Sequence, residues 1–192
     1  MAIPTIPGLC HLSAPPKAGA TSFALQQACL AIADGKRVIW GSEVMPDNVR
    51  FSQIFHSLDI SAASRFHGMS TAGEFKRCIL EIGRAARILP NVGLVVIDGW
   101  TPPKGRVSSD TKSTILELAS SLNKGCNLLL TSQSYADASG DSEYLIRGEK
   151  VLSDAGFNTW KLSRPSDDAR RILTIEEEVV PLLLEEEGFK RI

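Results

Sequence analysis

Eight residues near the amino terminus, Ala14-Pro15-Pro16-Lys17-Ala18-Gly19-Ala20-Thr21, fall in the frame G-x-x-x-x-G-K-[ST]. In that frame backbone amides cradle phosphates, the lysine reaches the terminal phosphates and the hydroxyl holds magnesium. Gly19 and Thr21 fit; Ala14 stands where the first glycine belongs and Ala20 where the lysine belongs. A strand-like Leu9-Cys10-His11-Leu12 leads in and a helical period follows at once, so Pro16, Lys17, Ala18, Gly19, Ala20, Thr21 and Ser22 are the candidate cofactor-binding residues. Two acids come next in order. Leu94-Val95-Val96-Ile97-Asp98 reads as a buried strand ending in an acid, which would emerge at the carboxyl edge beside the loop and pair with Thr21 at magnesium. Glu43, just past Val38-Ile39-Trp40-Gly41-Ser42, stands at another strand tip, where a base that orients water belongs. A capping acid is the plainer account of either residue alone; the three features together favour the chemical one.

Replacing the lysine removes a charge-assisted bond to phosphate. In a dry site this loses on the order of 1.5–3 kcal/mol of binding, and more in a transition state that places charge on the transferred oxygens. Hydrolysis therefore suffers more than binding. Lys17 either reaches back to substitute or points to solvent, the latter being the more natural direction at that place in the loop. The amides and Thr21 remain as donors for a weakly held nucleotide.

These residues need strands and helices to bring them together. Val38-Ile39-Trp40, Leu94 to Ile97 and Leu128-Leu129-Leu130-Thr131 are apolar runs opened by turn residues, the pattern of strands covered on both faces. Between them, Leu25, Cys29 and Ile32, then Phe75, Ile79, Ile82 and Ala86, then Ile115, Leu118 and Leu122 recur at helical spacing. A further helix is expected over Pro46 to Leu58, with Pro46 in its opening turn and Val49, Ile54 and Leu58 inward. Alternation of this kind predicts an α/β fold with a mostly parallel twisted sheet flanked by helices. After about Phe157, closely spaced strand-like segments predict antiparallel strands added at one sheet edge, where Pro181 is tolerated. Tyr135 to Arg147, polar and glycine-bearing, reads as a long loop.

The chain's 192 residues suit one domain, spanning 1–192, that buries roughly 70% of its unfolded surface. A formal net charge of −1 excludes a broad basic field, so any nucleic-acid contact is local. Cys10, Cys29, Cys78 and Cys126 form no C-x-x-C pair and read as core residues. His11, His56 and His67 lack the acids and the spacing of a metal site. No apolar run reaches the ~18 residues of a membrane span, and the start lacks the pattern of a signal peptide, so a cytoplasmic protein is expected.

The order of these pieces resembles the RecA/RadA recombinase core. Thr131-Ser132-Gln133, at the end of the third apolar strand, is similar to the Thr-Asn-Gln of the family's archaeal and eukaryotic members, whose glutamine senses the terminal phosphate and leads into a DNA-binding loop. Val151-Leu152-Ser153-Asp154-Ala155 and Thr159 to Arg164 look like the return from that loop, and Glu185 to Ile192 looks like the final hairpin. The resemblance spans almost the whole chain and implies a RecA-like P-loop ATPase core, with Gln133 as phosphate sensor, Glu43 as water-orienting base and ATP with magnesium as the cofactors, weakly held or lost. No counterpart of the family's amino-terminal helical domain or polymerisation segment precedes the loop in these 192 residues. Independent filament building is therefore not expected, and the likeness is to the short RadB-like archaeal paralogs, which assist a full recombinase without exchanging strands.

Lys104 and Arg106 match the place of the family's first DNA loop, and Arg147 and Lys150 flank the second, with Tyr135 able to stack on a base. The alternative for each is a solvated loop residue or, for Tyr135, packing on its own scaffold. Arg164, Arg170 and Arg171 either meet a neighbour's phosphates or act as exposed strand-end charges that discourage edge pairing. The acidic runs Glu176 to Glu178 and Glu185 to Glu187 read as solvated turns that oppose DNA. Three functions stay open. The first is an accessory or mediator in homologous recombination and repair that is non-catalytic or weakly active, binding a recombinase of the RadA/RecA type or another paralog and also single-stranded DNA. The second is an active ATP-dependent ATPase or nucleotide switch of the RecA/KaiC type. The third is a structural module with a vestigial pocket.

Overall fold

The computed structural model describes residues 2–102, 105–136, 144–166 and 168–192. Among them a nine-stranded sheet runs in the order β11-β10-β9-β8-β1-β5-β4-β2-β3. Its strands are β1 (Leu9–Ala14), β2 (Arg37–Ser42), β3 (Phe66–Ser70), β4 (Val92–Asp98), β5 (Asn127–Gln133), β8 (Asn158–Ser163), β9 (Arg170–Ile175), β10 (Glu178–Glu185) and β11 (Gly188–Arg191). From β8 to β3 every pairing is parallel; β8–β9, β9–β10 and β10–β11 are antiparallel. The α/β expectation thus holds, with one correction. The late strands are not all antiparallel, because β8 adds parallel to β1 and the reversal starts only between β8 and β9.

The unbroken apolar runs sit where expected, since alternate residues of β4 enter two cores. Leu94 and Val96 pack with α1 (Ala20–Ala33) and α2 (Asn48–Phe55) on one face; Val95 and Ile97 pack with α4 (Phe75–Ile88) and α5 (Ser109–Ser121) on the other. α1 follows the loop without a side-chain cap at Gly19 and buries Phe23, Leu25, Ala28, Cys29 and Ile32. α5 is capped by Ser108, whose hydroxyl accepts the Thr111 amide at 3.0 Å.

Other expectations need amending. The helix expected from Pro46 begins at Asn48, because the Asp47 carboxylate caps the amides of Val49 and Arg50 at 3.0 Å each and so fixes the first turn. Val49 faces out at 65% exposure, and Ile54 and Phe55 turn inward. α3 (Ile60–Ala63) and β3 were not legible: one is a single turn, and the other is an edge strand lacking an apolar run. Of the stretch from Tyr135 to Arg147, residues 137–143 lie outside the described residues; at its two ends β6 (Tyr135–Ala136) pairs antiparallel with β7 (Tyr144–Leu145), and α6 (Glu149–Asp154) follows. Pro181 lies in β10, one strand in from the edge. Its carbonyl accepts the Ile192 amide at 3.2 Å, so its donorless nitrogen, on the same side, faces the end of short β11 and removes no bond to β9.

Candidate nucleotide site

The parallel strands end together. Register sets Ser42 beside Asp98, Asp98 beside Thr131, and Gln133 beside Ala14, so the tips of β2, β4, β5 and β1 share one edge, the place where open α/β sheets hold ligands. A cavity of about 560 Å³ opens there, lined among others by Pro16, Lys17, Gly19, Ala20, Thr21, Ser22, Glu43, Asp98 and Gln133. Every candidate catalytic, cofactor and metal residue except Ala18 thus meets in one crevice of nucleotide-accommodating size. Ala18 is buried beneath it.

The loop is tighter than the sequence frame suggests. Pro15 to Ala18 close a turn, with Ala18 N–H donating to Pro15 O at 3.2 Å and Lys17 at φ 64. A residue of positive φ after proline is the geometry of a type II turn. Pro15 and Pro16 bring no N–H, and Ala18 spends its own within the turn. Phe23 makes the first helical bond, to Gly19 O at 2.9 Å, so the amides of Gly19, Ala20, Thr21 and Ser22 form the open positive end of α1. Lys17 is exposed at the cavity rim.

Asp98 is wired into this end. Thr21 Oγ1 donates to Asp98 Oδ2 at 2.9 Å, and Thr131 Oγ1 donates to Oδ1 at 2.5 Å while accepting the Gly99 amide at 2.8 Å. Burial pushes the Asp98 carboxyl above its ordinary value, and the Thr131 and Thr21 hydroxyls oppose that shift. A hydroxyl and a carboxylate so close, at a helix amino terminus, are the donor set that magnesium with a nucleotide phosphate takes. The hydroxyl, the carboxylate and the first-turn amides fit such a ligand; the lysine and first glycine of the frame are absent, and Pro15, Pro16 and Ala18 offer it no amide. Thr21 and Asp98 would hold the metal, which would supply charge neutralisation at the phosphates; the first-turn amides of α1 would orient them.

Beneath the cavity, His11 Nε2 lies 2.7 Å from Ser132 Oγ and accepts from Trp100 Nε1 at 3.3 Å. An indole only donates, so the imidazole proton is on Nδ1. Burial pulls the His11 pKa down to about 3. This histidine is a neutral residue buried in the core.

The DNA candidates divide. Lys104 lies outside the described residues, and Arg106 is exposed. Arg147 sits with its guanidinium carbon 4.6 Å from the centre of the Tyr135 ring and donates from Nη1 to Gly105 O, so the two loop regions meet through it. Lys150 pairs with Asp154 at 3.1 Å along α6. The acidic run at the last turn is held, since Glu185 pairs with Lys190, and Arg50 Nη1 donates to Glu185 O (2.9 Å) and Glu186 O (2.8 Å).

Sequence reasoning missed the far side of the loop. A Cβ on Gly19, which has φ 103, would meet Phe189 Cζ at 3.1 Å and Leu184 Cδ2 at 3.3 Å. Arg171 is not a surface charge: it is 5% exposed and donates from Nε to Ala18 O at 2.8 Å, and from Nη1 to Asp168 O and Arg170 O at 2.7 Å each. Strand alternation could have flagged it, because Arg171, Leu173 and Ile175 share one side of β9 and Leu173 is core.

No protein-family profile matches this chain, and no curated protein does. Among solved structures, the crystal structure of the RadB recombinase is similar with a TM-score of 0.76, at 19% identity, over 98% of this chain and 92% of that one. The chain therefore shares the fold of that structure.

Proposed function

We propose that this chain is a nucleotide-binding accessory protein of homologous recombination and repair that hydrolyses ATP slowly or not at all, and that it engages a RadA/RecA-type recombinase or another paralog. The observation that carries the reading is the pairing of Thr21 with Asp98 at the open end of α1, beside position 20, where a side chain of one carbon replaces the phosphate-reaching cation. The fold shared with a protein titled a recombinase supports the recombination context. Single-stranded DNA contact falls to Arg106, Arg147 and Tyr135, with Lys104 and Lys150 as further candidates, and belongs to the same proposal.

In this reading the first-turn amides would bind phosphate, Thr21 and Asp98 would hold magnesium, Gln133 would sense the terminal phosphate and Glu43 would orient water, all from positions that line the same cavity. Without a cation to draw charge from the leaving oxygens, that machinery orients more than it cleaves. ATP turnover measured with and without single-stranded DNA tests this, together with a thermal shift in magnesium and ATP and a pull-down against a full-length recombinase. The expected results are a shift of unfolding temperature, retention of the recombinase, and turnover near background. Robust turnover abolished by Asp98→Asn would instead establish the active RecA/KaiC-type ATPase. Failure to bind both nucleotide and recombinase would leave the cavity vestigial.

A further inference from the structure

Resting on the reading of this cavity as a nucleotide site, we infer that Arg171 on β9 is the positioning cation of the phosphate loop, acting through the Ala18–Gly19 peptide in place of the missing lysine. The loop's own cation, Lys17, is exposed at the rim, and position 20 offers a methyl group. Arg171 by contrast is buried, and among the described residues no carboxylate forms an ion pair with it. The adjacent Asp168 carboxylate is engaged by Ser166 Oγ (2.7 Å), the Arg170 amide (2.7 Å) and Arg170 Nε (3.8 Å). Three carbonyl oxygens accept from Arg171 Nε and Nη1, and being neutral they do not cancel its charge. A guanidinium keeps its proton under these conditions; burial and Arg164 oppose its charge and the Asp168 carboxylate favours it, and a cation this buried remains favourable ground for an anion.

The geometry says how that charge is used. Ala18 C=O, which accepts from Arg171 Nε, belongs to the same peptide unit as Gly19 N–H, the first amide at the open end of α1. A cation on the carbonyl side of a peptide polarises its N–H toward the opposite side, because hydrogen bonds in series strengthen one another. The Pro15–Ala18 turn turns the Ala18 amide away, so the Gly19 amide heads the donor set. Phe189 and Leu184 hold the Gly19 backbone against displacement when a phosphate pulls on it. The antiparallel strands thus bring charge to the loop from below, by a residue whose place in the motif is nil.

The test titrates Mg·ATP, and separately inorganic tripolyphosphate, into wild type, Arg171→Gln, Arg171→Lys, Ala20→Lys and, as a control, the exposed Arg170→Gln. Apo unfolding midpoints are recorded for all. Arg171→Gln is expected to weaken both ligands about tenfold, Arg171→Lys to restore most of that loss, Arg170→Gln to bind within about twofold of wild type, and Ala20→Lys to bind more tightly. An Arg171→Gln protein that folds and binds like wild type while Ala20→Lys gains affinity would overturn the role of Arg171 and leave the site standing. No binding by wild type or by Ala20→Lys would overturn the site itself. Should Arg171→Gln not fold, the wild-type Gly19 amide decides: its proton resonance is expected to move downfield on saturation with tripolyphosphate, and an unmoved resonance at saturation refutes the coupling.

Discussion

One side of the 14–21 loop faces the cavity with a threonine hydroxyl, a carboxylate and the amides of a helix end; the other rests on an aromatic ring, a leucine and a buried guanidinium. The cavity side is built by the parallel strands and carries motif chemistry. The supporting side is built by β9 to β11, more than 150 residues later in sequence, and is packing with one charge in it. Position 20 carries a methyl group on the cavity side, while the supporting side is closely held: Gln26 bonds both backbone groups of Phe189 (2.9 and 2.7 Å) and Arg50 clasps the last turn.

This contrast can be broken from the supporting side first. Phe189→Ala removes a buried ring that packs on Phe23 at a centroid distance of 5.7 Å and beneath Gly19. It should destabilise the fold by about 3–5 kcal/mol in urea unfolding, and a loss below about 1 kcal/mol would mean the hairpin is not the floor of the loop. Gly19→Ala should follow at about 1–3 kcal/mol, because a methyl at φ 103 is strained and meets that ring; the nucleotide-induced thermal shift should shrink with it.

The cavity side answers to pH. His11 stays neutral in the fold down to about 3, while the unfolded chain takes up its proton near 6.5. A lowered folded value means stability is lost as pH falls below 6.5, at roughly 1.4 kcal/mol per pH unit from this group. The wild type should therefore lose more stability than His11→Gln between pH 6.5 and 5, and parallel pH profiles would exclude the buried histidine as the cause. Asp98 has the opposite sign. With its folded pKa raised, its contribution is present below the ordinary value of 3.8 and fades as pH rises through the folded one. Burial disfavours the charged form of this carboxyl, so Asp98→Asn should leave the apo protein within about 1 kcal/mol of wild type or above it, and abolish only the shift given by magnesium and ATP. A large apo loss would recast Asp98 as structural.

Much of the cavity side was legible because its signals are local. Apolar runs ending at Asp98 and Ser42, and the short frame ending at Thr21, are consecutive residues whose strand and turn preferences need no distant partner. Where strength of pattern fell, legibility fell with it. β3 at the edge carries no run, β6 and β7 are two residues each, and the start of α2 hung on the Asp47 cap. Arg171 was misread because arginine in a strand is usually a surface charge, and nothing beside it in the chain announces that Ala18, over 150 positions earlier, will lie against it.

The sequence by itself determined the layered α/β architecture, the order along the chain of the parallel strands' chemistry-bearing ends, and the alanine at position 20, since each follows from residue type and short-range period. Only the tertiary structure decided that β8 runs parallel to β1 and that a late arginine lies buried beneath the loop. Both outcomes depend on contacts between residues far apart in the chain, which leave no local trace.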